Sequence, residues 1–186
     1  MKIYLASKSP RRQQLLKQID IDFELVDINI DENWDGVEPA KKYVKRMALE
    51  KSQDAKKTVS KQQPILAADT AVVLDDEILG KAKTNDEARI MLSMLSGRTH
   101  HVYSAVALVA DTEQVQLSVS RVSFRPLTSE EIDTYCETEE PLGKAGAYAI
   151  QGKAAAFIQR MVGSYSGVMG LPLYETSELL RLLDMN

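Results

Sequence analysis

Residues 3–19, Ile-Tyr-Leu-Ala-Ser-Lys-Ser-Pro-Arg-Arg-Gln-Gln-Leu-Leu-Lys-Gln-Ile, read as a strand, a short polar loop and a helix. The apolar run 3–6 predicts the strand. Ser9 is placed as N-cap and Pro10 as the first helical residue, with Leu15, Leu16 and Ile19 facing a core. Arg11 and Arg12 then fall in the first helical turn, where unpaired backbone N–H groups already carry positive partial charge. Each added cation there costs about 0.3–1 kcal/mol. A bound phosphate would offset that cost, held by backbone N–H groups, the Ser7 and Ser9 hydroxyls and two guanidinium forks. A solvated basic turn is the alternative, and this motif alone leaves both open.

Working outward, the remaining pattern alternates helices and strands. Residues 23–30 alternate as a strand and lead into the acidic loop 31–36; a helix follows over 39–57 with Val44, Met47, Ala48 and Ala55 as its apolar stripe. Lys51 falls on that same stripe. An apolar strand at 65–74 turns at Asp75-Asp76-Glu77 and returns over 78–81, a hairpin pattern. Asn85 is expected to cap a helix running to Leu95. Residues 102–109 and 115–124 form a second strand pair, and Thr128-Ser129-Glu130-Glu131 is a capping box for a short helix to Glu137. Strands are expected at 147–151 and 155–162, then a Gly/Ser-rich loop at 163–170 and a last amphipathic helix over 172–183. The outcome is an α/β fold with a mixed sheet. With no repeat or long linker, residues 1–186 are expected to form a single domain whose lobes are built from interleaved segments.

Bulk properties restrict the function classes. A formal net charge of −4 argues against wholesale binding to a nucleic-acid backbone, so no stable nucleic-acid partner is expected and basic function must be local. The single cysteine, Cys136, excludes an internal disulfide and a multi-cysteine zinc cluster, and is read as a buried small hydrophobe. No apolar stretch reaches transmembrane length, and the N-terminus leads straight into folded pattern, so a cytoplasmic protein is expected. His100 and His101 are read as a loop pair or satisfied hydrogen-bonders; nothing in their spacing suggests zinc.

Several polar residues stand outside the core pattern. Asp69 and Thr70 interrupt an apolar strand, where an unpaired carboxylate needs a cation. A turn centred near Asp75 would bring Asp69 opposite Lys81 on one face. Lys51, Lys81, Arg11 and Arg12 are four cations without evident local anions, and a polyphosphate would satisfy them together. Glu32 and Asp69 could then supply oxygen ligands to a divalent cation, Mg²⁺ or Mn²⁺. In the small-residue segment 143–152, Gln151 offers an amide donor and acceptor suited to a base edge, with a solvated turn residue as the alternative.

Taken together, residues 5–12 (Leu-Ala-Ser-Lys-Ser-Pro-Arg-Arg), 68–72 (Ala-Asp-Thr-Ala-Val), Gly80-Lys81, 95–100 (Leu-Ser-Gly-Arg-Thr-His) and 144–152 (Lys-Ala-Gly-Ala-Tyr-Ala-Ile-Gln-Gly) closely resemble the Maf family of nucleotide pyrophosphatases. The motifs occur in the family's order from Leu5 to Pro172. The resemblance implies an elongated, two-lobed α/β fold related to the inosine triphosphate pyrophosphatases, with a central cleft. It also implies metal-dependent hydrolysis of nucleoside triphosphates to monophosphate and pyrophosphate, a house-cleaning role in the nucleotide pool. Arg12, Thr70 and Gln151 match the branch acting on dTTP and UTP, including modified pyrimidines, rather than the 7-methyl-GTP branch. Asp69, Lys81 and Lys51 are thereby expected to be catalytic, and Ser7 and Arg11 to bind phosphate. Three positions depart from the family pattern: Gly143 for a common aspartate, Ser104 for threonine and Ala149 for glycine. The other functional class is a nucleotide- or RNA-binding regulator of cell division, and a homodimer is left open.

Overall fold

In the structure, a computed structural model, residues 2–59 and 63–184 are described. The opening stretch folds as read: β1 (Lys2–Leu5), a loop, α1 (Pro10–Gln18) and β2 (Asp22–Leu25). Next come α2 (Ala40–Thr58), β3 (Ile65–Leu74), β4 (Glu77–Leu79), α3 (Asn85–Leu95), β5 (Thr99–Val109) and β6 (Glu113–Phe124). After α4 (Ser129–Cys136), a 3₁₀ turn at Lys153–Phe157 leads into β7 (Ile158–Val162), α5 (Tyr165–Met169) and α6 (Leu173–Asp184). The strands form one mixed sheet in the order β2-β1-β3-β5-β6-β7, with β4 also on β3. The α/β mixed-sheet expectation is met.

Strand β3 organises the molecule. Its register with antiparallel β5 is unbroken from Ile65↔Val109 to Val73↔His101. On its other edge, parallel β1 pairs only with Ile65 and Leu66, and β4 only with Val72 to Leu74. Between them, residues 67–71 have no strand partner on that edge among the described residues, which leaves a gap in the sheet. Side chains of β3 alternate across the sheet as a strand requires. Ala71 and Val73 pack with Val44, Met47 and Ala48 of α2, whereas Leu66 and Ala68 pack with Leu15 and Leu16 of α1 and Leu179 of α6. Neighbours Asp69 and Thr70 therefore serve opposite faces.

Several local expectations need correction. The strand expected over 23–30 stops at Leu25, because its partner β1 ends at Leu5 and Val26 N–H makes the last bond to Leu5 O. The β3–β4 turn has two residues, Asp75 and Asp76, both at positive φ (50° and 68°), as tight hairpins require. That register pairs Val72 with Leu79 and would carry Asp69 to position 82, so the expected Asp69–Lys81 opposition does not form. Lys81 instead bridges to Ala145, and Asp69 lies opposite Ala105. Residues 147–151 are not a strand. Gly146 and Ala147 take φ of 66° and 58°, and the backbone closes into turns. The run expected as a strand from 155 begins as the 3₁₀ turn, and the 163–170 loop contains α5, capped by the Ser164 hydroxyl. Thr84, not Asn85, caps α3. The Thr128 capping box forms as expected, and Cys136 is buried on α4.

His100 and His101 lie on β5 rather than in a loop. His100 is fully buried, its Nε2 2.9 Å from the Tyr148 hydroxyl and its ring edge-on to Phe124 and Tyr148. Burial, with His101 adding repulsion, pulls its pKa down to about 4. The folded state then holds this imidazole neutral while the unfolded chain protonates it near the ordinary value of about 6.5. Its contribution is complete above that value and is lost as pH falls toward about 4. From pH 7 to pH 4 the unfolding free energy of the native chain should drop relative to a His100→Gln variant by about 3 kcal/mol. Paired urea titrations at the two pH values measure this; a constant difference would show that His100 is not held neutral.

Candidate active site

The gap in the sheet beside β3 opens into two adjoining cavities. The wider, about 360 Å³, is lined by the 6–12 loop with Glu32, Lys51, Asp69, Thr70 and Lys81. The narrower, about 60 Å³, is lined among others by Arg12, Thr70, Tyr148, Ile150, Gln151 and Val168. Ser9, Arg11, Arg12, Thr70, Lys81 and Gly143 line both. All nine residues singled out from the sequence (Ser7, Arg11, Arg12, Glu32, Lys51, Asp69, Thr70, Lys81 and Gln151) line one cavity or the other.

The loop before α1 is held by its own serine. Buried Ser7 Oγ accepts from Ser9 N–H at 3.2 Å and from Arg12 Nη1 at 3.3 Å. Ser9 occupies the N-cap position but its side chain makes no capping bond, and no acid stands in the first turn. The helix start keeps its positive character. Arg11 Nε donates to Met169 O at 3.3 Å and Arg12 Nε to Gly170 O at 2.7 Å, so the end of α5 anchors both guanidinium groups. Burial lowers the pKa of each; for Arg12 the attraction of Asp69 opposes that loss.

Lys51 projects from the buried face of α2 onto the Asp69 side of the sheet. It is 4% exposed and Asp69 6%, and Nζ lies 2.7 Å from Asp69 Oδ1 and 3.1 Å from Glu32 Oε1. Lys81 Nζ meets the other Glu32 oxygen at 3.2 Å. The expectation that these lysines lack local anions is therefore corrected: they alternate with two carboxylates in the chain Asp69–Lys51–Glu32–Lys81. The loop 26–35 delivers Glu32, held by the Tyr43 hydroxyl donating to Glu32 O at 2.7 Å. Burial acts to raise the Glu32 carboxyl, but Lys51 and Lys81 outweigh it, so its pKa lies below the ordinary carboxylate value. Burial, with Asp69 and Glu32 adding to it, pushes the Tyr43 phenol up to about 12. Counting Arg11 and Arg12, four cations face two acids. The cleft keeps a positive surplus suited to phosphates.

The donors also bear on a metal. Glu32 and Asp69 converge on one ammonium, which brings two hard oxygen ligands to the same part of the cleft. Among the described residues no three His, Cys, Asp or Glu side chains gather as a metal-binding group. Two carboxylates fit a Mg²⁺-type ion that completes its shell with phosphate oxygens and water.

Gln151 is exposed at the rim of the narrow cavity. A Cβ at Gly152 would meet the Glu140 carboxylate, with Oε1 at 2.2 Å, so any side chain there would have to displace it. Glu140 is in turn held by the Tyr135 hydroxyl at 2.9 Å and by Lys153 N–H at 3.2 Å. Gly146 admits no side chain, a Cβ falling 2.8 Å from Val72 Cγ1. Lys144, half-buried and donating to Glu140 O, adds a further cation to the narrow cavity; burial, then Arg11, lowers its pKa. The supporting roles of Tyr135, Glu140, Ser104 and Tyr148 are not legible in the sequence: Ser104 and Tyr148 have partners 63 and 48 residues away, and the Tyr135–Glu140 bond, though it spans only five residues, breaks no local pattern.

Nucleotide chemistry is what a basic loop, an acid–lysine chain and a slot edged by small residues together define. The family model described as "Maf-like protein" matches residues 2–183, and the chain belongs to the Maf family. A protein of Alkalilimnicola ehrlichii named "dTTP/UTP pyrophosphatase" is 48% identical over 183 residues, covering 96% of this chain and 91% of that one. One of the same name from Methylococcus capsulatus is 49% identical over 186 residues, covering 100% and 92%. Among solved structures, the Staphylococcus aureus Ham1 protein superposes with a TM-score of 0.51 at 14% identity, covering 84% of this chain and 91% of that one. At that identity the likeness concerns the fold.

Proposed function

We propose that this protein hydrolyses dTTP and UTP, with modified pyrimidine triphosphates in the same class, to the nucleoside monophosphate and pyrophosphate. The observation that carries the reading is the Asp69–Lys51–Glu32–Lys81 chain set beside the Ser7–Arg12 loop at the open edge of β3. The names of relatives nearly half identical over almost the whole chain support the substrate class. In this reading the triphosphate lies in the wider, basic cavity. Arg11, Lys51 and Lys81 neutralise charge that builds on its oxygens in the transition state. Asp69 takes the proton of the attacking water, the new O–P bond forms at the α-phosphorus, and the bond to the bridging oxygen breaks to release pyrophosphate. Lys51 holds the Asp69 carboxylate in place through a 2.7 Å bond. Glu32 and Asp69 would hold the divalent cation, which when bound polarises phosphoryl oxygens and a water. The base enters the narrower cavity, where Arg12, Thr70 and Gln151 meet its edge.

The single-domain, two-lobed organisation belongs to the same proposal, supported by β3 and β5, which contribute to several hydrophobic clusters of the core. So does a cytoplasmic house-cleaning role; among the described residues no helix is long and apolar enough to cross a membrane.

The test is a panel of nucleoside triphosphates with Mg²⁺ or Mn²⁺, assayed for both pyrophosphate and orthophosphate. Pyrophosphate from dTTP and UTP is the expected result. Orthophosphate would indicate a phosphatase, no product a binding module, and equal rates with dTTP and GTP would end the pyrimidine assignment. In the same panel Arg11→Ala should lower kcat/KM for every triphosphate by a similar factor of about 10–100, the worth of one charge-assisted bond. Arg12→Ala should change the ranking among bases as well as the rate.

A further inference from the structure

The direction of the hydrogen bonds around Thr70 follows from its neighbours. Thr70 and Ser104 are register partners across β3 and β5, with their hydroxyl oxygens 2.9 Å apart. Taken alone, either could donate. Ser104, however, is 1% exposed and its Oγ lies 2.6 Å from the carbonyl oxygen of Gly167 on α5. A carbonyl oxygen only accepts, so the single Ser104 proton is committed to Gly167. Two hydroxyl oxygens facing each other at 2.9 Å without a proton between them would repel, so the Thr70 proton lies on the bond to Ser104. Thr70 is left with lone pairs alone for anything that enters the cleft.

This commitment has consequences on both sides of Thr70. A phosphate oxygen, itself only an acceptor, is refused there, which favours the base at this position. Arg12, on the same cavity, is a donor only; its Nε is engaged by Gly170 O and one Nη1 N–H by Ser7, leaving the second Nη1 N–H and both N–H groups of Nη2 for a ligand. An acceptor beside a donor matches a ring N–H next to a carbonyl, the imide edge of uracil and thymine. Cytosine held in the same pose turns its N3 acceptor to the Thr70 lone pairs, and it could satisfy the acceptor–donor pair only by shifting one ring position to put its N4 amine on Thr70.

We infer that Ser104 is a positioning residue that fixes Thr70 as an obligate hydrogen-bond acceptor, and that this polarity selects the N3–H edge of uracil and thymine over cytosine. The inference rests on the pyrimidine triphosphate reading above and specifies how it is achieved. Ser104→Ala removes the acceptor that holds the Thr70 proton. The freed hydroxyl can then turn its proton toward a cytosine N3. Ser104→Thr keeps a hydroxyl at the same place and should keep the polarity.

The experiment compares kcat/KM for UTP, CTP and N3-methyl-UTP by pyrophosphate release in the native chain, Ser104→Ala and Ser104→Thr, with melting temperatures recorded for each. The native chain should prefer UTP over both others by about 10–100-fold. Ser104→Ala should shrink the UTP:CTP ratio by about tenfold, largely through KM, and Ser104→Thr should retain the native ratio. Calorimetric binding of UMP against CMP should follow the same order, so the ratio is measurable even without turnover. If Ser104→Ala does not fold, the three-substrate comparison in the native chain still decides. Equal native preference for UTP and CTP would overturn the inference, as would a Ser104→Ala variant that slows both by one factor, which is the behaviour of a merely structural hydroxyl or of a Thr70 bonded to ribose. Failure of the pyrophosphatase reading shows separately, as no pyrophosphate from either UTP or dTTP.

Discussion

Asp69→Asn should lower kcat for dTTP by about 10²–10⁴-fold, the range typical of a lost general base, while leaving the fold and nucleotide binding in place. The structure explains why the two effects separate. Asn fills the same volume and its amide oxygen can still accept from Lys51, which also retains Glu32 at 3.1 Å, so no buried ammonium is left without an acceptor. The triphosphate would still meet Arg11, Arg12, Lys51 and Lys81, and the loss of one acid slightly increases the positive surplus that attracts it. What disappears is the group that can accept a proton, together with one of the two carboxylates assigned to the divalent cation, whose other ligand Glu32 is kept. Single-turnover pyrophosphate release gives the chemical step, and calorimetry with dTTP gives the affinity of the variant. A variant that turns over dTTP at the native rate would remove Asp69 from the chemistry. One that loses binding and chemistry equally would make it a positioning group for the phosphates.

Such an acid is conspicuous in the sequence because the pattern it breaks is local. Asp69 sits inside an apolar strand and Lys51 on an apolar helix stripe, and each violates a periodicity only a few residues long. The strand–loop–helix at the N-terminus and the capping box at Thr128 are legible for the same reason, since caps and turns depend on adjacent residues. The pairing itself is not legible. Lys51 and Asp69 are 18 residues apart, and the expected hairpin gave Asp69 the wrong lysine because a two-residue turn moves the register by one. A one-residue shift exchanges every partner in the ladder. Residues 147–151 mislead in another way: their composition suits a strand, but the positive φ values at Gly146 and Ala147 and the wall formed by Val72 turn the chain instead. The Ser104 proton can be followed only through its acceptor Gly167, 63 residues away.

The same buried pair gives the largest stability effect. Lys51→Met should cost about 3–5 kcal/mol, because it leaves Asp69, 6% exposed, without the ammonium bonded to it. That is a large share of the roughly 5–15 kcal/mol that holds a typical domain together. Methionine matches the stem of lysine, so the apolar packing beside Val44, Met47 and Ala48 is largely kept and the loss is electrostatic. A double variant distinguishes this from a packing defect. Lys51→Met with Asp69→Asn removes both charges together and should be more stable than Lys51→Met alone. Arg12, whose charge also reaches Asp69, limits the penalty, so the single variant should be weaker still when Arg12→Ala is added. Urea denaturation of the native chain, Lys51→Met, the double variant and Lys51→Met with Arg12→Ala reads these terms. A deficit unrelieved by Asp69→Asn would mean that Lys51 stabilises the protein through its carbon chain, with its charge free for the phosphates.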